Sequence, residues 1–107
     1  MALPSPIQTY FEADMAGDSG APGRAFAPDA VVRDEGETHV GVAAIDAWWR
    51  AAKAKYQHAA EPLEFDARDD VTSVRARVTG QFPGSPATLT FAFRLAGDRI
   101  AAMEIGA

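Results

Sequence analysis

An aspartate stands at the end of an apparent strand, in the run VVRDEG at positions 31–36. Successive side chains of a strand point to opposite faces, so Val32 and Asp34 share one face, while Val31 and Arg33 share the other. If Val32 points into the core, Asp34 points the same way. A carboxylate that faces an apolar interior is costly unless it is paired, hydrogen-bonded or used in chemistry. Asp34 is therefore the first place in the sequence to look for chemistry.

The alternative for Asp34 is a structural role, in which it pairs with Arg33, Arg24 or His39 or is solvated at the end of the strand. His39 follows Asp34 by five positions and could orient it across a hairpin, or it could be an ordinary exposed strand histidine. His39 and His58 are the two histidines of the chain, and they show neither the H-x-H nor the H-x-x-x-H spacing of metal ligands. No metal site is predicted.

Two amphipathic helices are predicted from the spacing of apolar residues. The first covers residues 5–16, with Ser5 as N-cap and Pro6 in its first turn. Its apolar face consists of Ile7, Tyr10, Phe11 and Met15. The second covers residues 42–56 and contains two adjacent tryptophans. Adjacent helical side chains point about 100° apart, so one tryptophan can enter the core while the other lines a cavity, and Trp49 is the one expected at the cavity.

The strands follow a different order along the chain. Short strands near residues 30–35 and 37–40 form a hairpin around Gly36, after which the second helix intervenes. From Pro62 onward the periodicity becomes two, with turns at residues 83–86 and 96–98. Helices first and an antiparallel meander last predict an α+β fold, in which a curved sheet wraps around the helices of a single domain covering residues 1–107.

Composition narrows the possible partners. The 107 residues are 48% hydrophobic and 23% charged, as in ordinary globular proteins, and they include no cysteine that could form disulfides or bind metal. A net charge of -5 with scattered basic residues argues against nucleic acid and anionic membranes as partners. There is no apolar run of transmembrane length and no signal-peptide pattern, so a cytoplasmic location is expected. Without a Gly-rich phosphate loop, no cofactor is expected.

Two stretches resemble a known superfamily. They are FAPDAVVRDEGETHVGVAAIDAWW at positions 26–49 and GDRIAAMEI at positions 97–105. Both are similar to the nuclear transport factor 2-like superfamily, in particular to its SnoaL-like and ketosteroid-isomerase-like members. The resemblance implies a cone-shaped barrel, made of a strongly curved and mostly antiparallel sheet around N-terminal helices, with an apolar pocket at its mouth. This fold carries isomerases, cyclases and proteins that only bind ligands.

The resemblance also implies roles for individual residues. Asp34 falls at the position of the general base, and Tyr10 falls at the position of the tyrosine that donates to the enolate oxygen. Tyr10 could instead be a core residue with its hydroxyl at the edge. Phe91 stands where the isomerases keep an acid that completes the oxyanion hole, and Trp49 stands where they keep a supporting tyrosine. A site without that acid suits a more acidic substrate, such as a 1,3-dicarbonyl polyketide.

These expectations combine into one functional hypothesis and one alternative. The hypothesis is isomerase or cyclase chemistry on a small apolar carbonyl compound. The alternative is a ligand-binding or dimerisation domain without turnover. The expected ligand-binding residues are Trp49, Phe65, Val78, Phe91, Met103 and His39. Homodimerisation, which is common in the resembled family, is expected through the outer sheet face formed by Arg75, Arg77, Thr79, Thr88, Thr90, Ala92 and Arg94.

Overall fold

The structure, a computed structural model, describes residues 2–17 and 20–106. Its elements in chain order are α1 (Ser5–Ala16), α2 (Ala21–Ala25), β1 (Phe26–Asp34), β2 (Glu37–Val40), α3 (Val42–Tyr56), β3 (Ala59–Arg68), β4 (Val71–Thr79), β5 (Ala87–Ala96) and β6 (Arg99–Gly106). The predicted α+β class and the predicted order of helices before a meander are confirmed.

Helix α1 has the predicted bounds, but its N-cap lies one residue earlier than predicted. Pro4 is the N-cap and Ser5 is already helical, without a side-chain capping hydrogen bond, so the capping role expected of Ser5 was wrong. A proline in the first turn is tolerated because the amide hydrogens there have no partner within the helix. The helix ends at Gly17, which is left-handed with φ of 68° and donates its N–H to the carbonyls of Ala13 and Asp14. The stretch rich in Gly and Pro at residues 17–24, which follows the helix, lies partly outside the described residues.

The buried face of α1 differs from the predicted one at a single position. Ile7, Tyr10 and Phe11 are buried as expected, but the Met15 side chain is 54% exposed. Asp14 occupies the inward position and is only 1% exposed. Residues four and seven positions apart lie on the same helix face, and Asp14 follows Tyr10 by four positions and Ile7 by seven. The apolar face of α1 therefore ends in a buried carboxylate.

The sheet has six strands in the order β2-β1-β6-β5-β4-β3. Strands β3 to β6 form the predicted antiparallel meander, and β1 pairs antiparallel with β2 and parallel with β6. In the described part of the chain β2 and β3 are edge strands, so the curved sheet stays open rather than closing into a barrel. Strand β1 begins at Phe26, four residues before the predicted start, because its register against β6 shifts between Phe26 and Val31 and so accommodates Pro28.

Strand β3 carries a bulge at Leu63. Its register against β4 shifts between Pro62 and Glu64, which leaves Leu63 as the extra residue. Ala60 on the first half of β3 is buried, whereas Leu63 is 47% exposed and Phe65 is 36% exposed on the second half. The bulge therefore divides β3 into a half that closes the core and a half at the open edge of the sheet.

The core lies between the helices and the inner face of the sheet. Tyr10 packs edge to face against the rings of Phe11, Phe26 and Phe93, with centroid distances of 5.4, 5.7 and 6.2 Å. The outer face of the sheet carries two cross-strand ion pairs, Arg75 with Glu64 at 2.7 Å and Arg77 with Glu61 at 2.8 Å. None of the helices in residues 2–17 and 20–106 is both long and apolar enough to cross a membrane.

Candidate functional site

A cavity of about 340 Å³ lies between α1, α3 and the inner face of the sheet. Its volume is near the lower end of the range typical for small-molecule sites. Apolar side chains such as Val78, Leu89 and Phe91 supply the wall formed by the sheet. Polar side chains reach the same cavity from both helices, from the end of β1 and from His58, the residue before β3.

Asp34 reaches the cavity from the last residue of β1. It shares a strand face with Val32, which is fully buried, as the alternation of the strand predicted. The indole N–H of Trp48 donates a hydrogen bond to Oδ2 of Asp34 at 3.1 Å. The Trp48 ring packs on His39, with 5.8 Å between the ring centroids. Trp48, rather than Arg33 or His39, is therefore the side chain that orients Asp34.

Tyr10 reaches the cavity from α1 and is 2% exposed. Its hydroxyl forms no hydrogen bond with any residue in the described ranges. Burial, together with the negative charges of Asp14 and Asp34, raises the pKa of Tyr10 well above its ordinary value. The phenol therefore stays protonated at neutral pH and can act as a hydrogen-bond donor.

Asp14 is the carboxylate of the site with the most hydrogen-bonding and charged partners. Its Oδ1 atom accepts a hydrogen bond from the indole N–H of Trp49 at 3.1 Å, and lies 3.2 Å from Nζ of Lys53 and 3.3 Å from Nε2 of His58. Its Oδ2 atom accepts a hydrogen bond from the backbone N–H of Ala60 at 3.1 Å. Both oxygens of a buried carboxylate are thus satisfied, which buried charges require.

The charge state of Asp14 follows from these partners. Burial by itself acts to raise the pKa of Asp14, but the hydrogen bond and charge of His58 and the charge of Lys53 outweigh it, so the pKa is lowered. Lys53 also donates to the backbone carbonyl of Asp14 at 2.7 Å and to the backbone carbonyl of His58. Lys53 therefore ties the end of α1 to the residue before β3, and His58 and Lys53 together keep Asp14 ionised.

Sequence reasoning missed Asp14 and considered His58 only as a possible metal ligand. A signal for Asp14 was present, because this residue continues the spacing of Ile7 and Tyr10 on the apolar face of a predicted helix. No comparable signal existed for His58, whose contact with Asp14 joins positions far apart in the chain.

Comparison with known proteins places this architecture in a family. The family described as the SnoaL-like domain matches residues 7–103. The chain belongs to this family. The resemblance to SnoaL-like and nuclear transport factor 2-like proteins is thereby confirmed. No curated protein matches the chain.

Solved structures agree with this assignment. A Sinorhizobium meliloti protein described as a "putative polyketide cyclase" is 51% identical, with a TM-score of 0.92, and the match covers 96% of this chain and 94% of that chain. A Catenulispora acidiphila protein "with ketosteroid isomerase-like protein fold", in complex with trimethylamine, is 19% identical, with a TM-score of 0.85 and coverage of 99% and 87%. An Agrobacterium tumefaciens "putative isomerase of the SnoaL-like family" is 21% identical, with a TM-score of 0.74 and coverage of 94% and 92%. The last two likenesses concern the fold alone.

The SnoaL-like domain brings only some of the predicted pocket residues to the cavity. Asp34, Tyr10, Val78 and Phe91 line it. Trp49 does not, because its indole is buried and hydrogen-bonded to Asp14, and Trp48 takes the place predicted for it.

Three other predicted ligand-binding residues also lie away from the cavity. Met103 is 1% exposed and belongs to the packed core. Phe65 lies beyond the bulge of β3, near the open edge of the sheet. His39 packs on Trp48 and is not among the lining residues. Within the described ranges of this SnoaL-like domain, no group of three or more His, Asp or Glu side chains is placed to hold a metal ion.

Proposed function

We propose that this SnoaL-like domain catalyses proton transfer on a small apolar carbonyl compound held in its cavity, without a cofactor. The observation that carries the proposal is that Asp34 and Tyr10 line the same cavity. A carboxylate base and a neutral O–H donor are the two groups that enolisation of a ketone requires. The Tyr10 hydroxyl makes no hydrogen bond with a described residue and is therefore available as the donor.

In the proposed step, Asp34 acts as the base and Tyr10 as the hydrogen-bond donor. Asp34 removes a proton from the carbon next to the carbonyl group, and the electron pair of the broken C–H bond moves toward the carbonyl oxygen. The Tyr10 hydroxyl donates a hydrogen bond to that oxygen as its negative charge develops. Trp48 occupies Oδ2 of Asp34, which leaves Oδ1 to accept the proton. At the enolate stage the proton is therefore on Asp34, and the electron pair is shared between the α-carbon and the carbonyl oxygen.

The composition of the cavity wall favours an acidic substrate. Phe91 packs against Phe11 and Phe93, with ring centroids 5.2 and 6.4 Å apart, and presents no hydrogen-bond donor to the cavity. Tyr10 then stabilises the enolate without a second donor at that position. One donor is sufficient for a compound such as a 1,3-diketone, because its α-proton is already acidic. The description of the Sinorhizobium meliloti protein as a "putative polyketide cyclase" supports this substrate class.

The alternative function is ligand binding without turnover. It is favoured by the apolar wall formed by Val78, Leu89 and Phe91, which would hold a flat apolar molecule whether or not Asp34 reacts with it. In that case Asp34 and Trp48 would only orient the ligand.

Deuterium exchange separates the two functions. Cyclic ketones and 1,3-diketones are incubated in heavy water with the wild-type chain or with Asp34→Asn, and loss of the α-proton signal is followed by proton NMR. Binding of each compound to each protein is measured in parallel by titration. The asparagine variant keeps the shape of the side chain and its capacity to accept from Trp48, but it loses the base.

The expected result is accelerated exchange with the wild type and a loss of at least about 10²-fold with Asp34→Asn, at similar affinity. Bound compounds that exchange no faster with the wild type than in buffer would contradict catalysis and support the binding function. Equal acceleration by both proteins would remove Asp34 from the role of base.

A further inference from the structure

The charged side chains that line the cavity are mostly negative. Three carboxylates line it, those of Asp14, Asp34 and Glu35, and the described lining residues include His58 but no Lys or Arg. His58 and Lys53 already compensate Asp14, from 3.3 and 3.2 Å. Asp34 and Glu35 form no ion pair with any residue in the described ranges. The cavity therefore favours a positively charged ligand group over a negative one.

Two aromatic rings form a corner at the mouth of this cavity. Tyr56, at the end of α3, and Phe82, which follows β4, both line the cavity and are half-buried. Their ring planes meet at 86°, with centroids 6.0 Å apart. The backbone N–H of Gln81 donates to the carbonyl of Tyr56 at 2.6 Å, which holds the segment after β4 against the end of α3. The face of such a ring attracts a cation.

The chain's own Lys55 shows that this corner stabilises an ammonium group. Its Nζ atom lies 5.0 Å from the centroid of the Tyr56 ring. The hydrogen bond with Tyr56 and the charges of Tyr56 and Glu35 raise the pKa of Lys55. Lys55 is exposed and is not a lining residue, so its ammonium group approaches the ring from solvent. Tyr56 and Glu35 therefore act on the same cation.

The position of Glu35 is not explained by the turn that contains it. Glu35 and Gly36 form the two-residue connection between β1 and β2, with φ of 53° and 77°. Asn, Asp and Gly are the residues that such a turn favours at its first central position. Glu35 is exposed at the mouth of the cavity, directly after Asp34. Its carboxylate is therefore free to contact a ligand.

The Tyr10 hydroxyl is a second polar group without a partner in this cavity. Tyr10 is 2% exposed and lines the cavity, and its hydroxyl forms no hydrogen bond with a described residue. Buried polar groups are normally hydrogen-bonded. The free hydroxyl points to a ligand that supplies an acceptor oxygen.

The chemistry of the lining residues favours an organic cation over a metal ion. Within the part of the chain that the structure describes, no group of three or more His, Asp or Glu side chains is placed to hold a metal. Aromatic rings do not coordinate a hard cation, but they do contact the alkyl groups and the charge of a substituted ammonium group.

We infer that the mouth of the cavity binds an organic ammonium group against Tyr56 and Phe82, with Glu35 as its counter-ion. The apolar part of the same ligand lies against Val78 and Leu89. The inference goes beyond the proposed function. Because it concerns binding alone, it holds whether or not a proton is removed in the cavity.

The test compares two molecules of nearly the same shape that differ in charge. Choline carries a trimethylammonium group, and 3,3-dimethylbutan-1-ol carries a neutral tert-butyl group in its place. Binding of each is measured by calorimetric titration at neutral pH to the wild type, Glu35→Gln, Tyr56→Leu and Lys55→Met. Backbone amide shifts in nitrogen-15 NMR locate the bound choline.

Asp98→Asn is the control for a change in net charge. Asp98 is exposed in the turn that follows β5. The cavity residues Ala87 and Leu89 lie at the start of that strand, so Asp98 is at its opposite end. This variant removes the same charge as Glu35→Gln, but far from the proposed contact.

Wild type should bind choline at least about tenfold more tightly than the neutral alcohol. Glu35→Gln and Tyr56→Leu should each weaken choline binding about three- to tenfold and leave the alcohol unaffected. Lys55→Met should strengthen choline binding about two- to fivefold, because it removes a like charge from the Tyr56 ring. Asp98→Asn should match the wild type, and the amides of Glu35 and Phe82 should shift on binding.

Equal affinity of the wild type for the two molecules would overturn the inference. Equal weakening by Glu35→Gln and Asp98→Asn would overturn it as well, since only net charge would then matter. Choline that shifts amides away from the cavity mouth would have the same consequence. Glu35 is exposed, so Glu35→Gln decides the question even if Tyr56→Leu does not fold. None of these outcomes alters the deuterium-exchange test, which reports on Asp34 separately.

Discussion

The indole N–H of Trp49 donates to the buried carboxylate of Asp14 at 3.1 Å, across 35 positions of the sequence. Its neighbour Trp48 makes the equivalent bond to Asp34, also at 3.1 Å. Two adjacent side chains of α3 therefore hold two carboxylates of the same cavity, of which Asp14 is almost fully buried and Asp34 is only partly buried. The same substitution at the two positions should have different effects.

Trp49→Phe should lower stability, and Trp48→Phe should mainly lower activity. Removing a donor from the ionised Asp14 leaves a buried charge with one hydrogen bond fewer, which costs about 1.5–3 kcal/mol in the free energy of unfolding. Removing the donor from Asp34 frees the base to rotate, which we expect to slow deuterium exchange about tenfold, or ~1.4 kcal/mol in the activation free energy. Urea unfolding and NMR exchange rates check the two effects. Equal stability losses at both positions would contradict this division.

The stability of the chain should fall in acid because of Asp14. The folded pKa of Asp14 is lowered by His58 and Lys53, so below its ordinary value of about 3.9 the unfolded state binds more protons than the folded state. The stabilisation is therefore complete above that value and is lost as pH falls through the folded pKa. Tyr10, which also faces Asp14, stays neutral in this range.

The measurement for Asp14 is the free energy of urea unfolding between pH 3 and pH 6, for the wild type, Asp14→Asn and Asp34→Asn. At pH 6 the Asp14 variant should be less stable by about 3–5 kcal/mol, because its charged partners remain buried. The difference from the wild type should shrink below about pH 4. Asp34→Asn is the matched control and should follow the wild-type curve. A difference for Asp14→Asn that is constant across this pH range would refute the linkage.

Tyr10→Phe should reduce activity while preserving the fold. The hydroxyl makes no hydrogen bond with a described residue, and the ring packing is retained, so stability should change by less than about 1 kcal/mol. Loss of an oxyanion donor should slow deuterium exchange about 10²- to 10³-fold. Binding of a 1,3-diketone, measured by NMR titration, serves as the control. An unchanged rate would assign Tyr10 to the core alone.

The outer face of β4 and β5 is proposed as a homodimer interface. Ala92 lies on that face between the buried Phe91 and Phe93, and strand neighbours flank it on both sides. Ala92→Arg should convert a dimer to a monomer in light-scattering chromatography, because a large charged side chain would be placed at the contact. Ala54→Arg, on the exposed side of α3, is the control and should leave the mass unchanged. A monomeric wild type, or a dimeric Ala92→Arg, would refute this interface.

Local sequence patterns predicted most of the helices and strands. They did not predict the strand bounds and register shifts that depend on pairing with a distant strand. Helix α3 has the predicted bounds, since its apolar spacing is regular and Gly41, with φ of 87°, precedes it. The start of β1 was misplaced because Pro28 indicates a turn locally, whereas pairing with β6 extends the strand through it. The bulge at Leu63 was invisible for the same reason, since register is set by the partner strand.

The candidate site was predictable where one element decides the geometry. Strand alternation was sufficient to turn Asp34 inward. Helix spacing showed that one of the two tryptophans could line the cavity, but not which one. The choice between Trp48 and Trp49 depended on Asp14, a partner that the local pattern did not identify. The pairing of Asp14 with His58 depends on how α1 meets the start of β3, which is decided by packing rather than by sequence periodicity.

The parallel pairing of β1 with β6 sets Val32 opposite Met103, near the far end of the chain. Contacts between such distant positions are slow to form, because the entropy of closing the loop is lost before the contact compensates for it. We therefore expect the pairing of β1, which carries Asp34, with β6 to form late in folding. A molecule that needs the complete cavity binds only the native state, so its occupancy shifts the folding equilibrium of the entire chain.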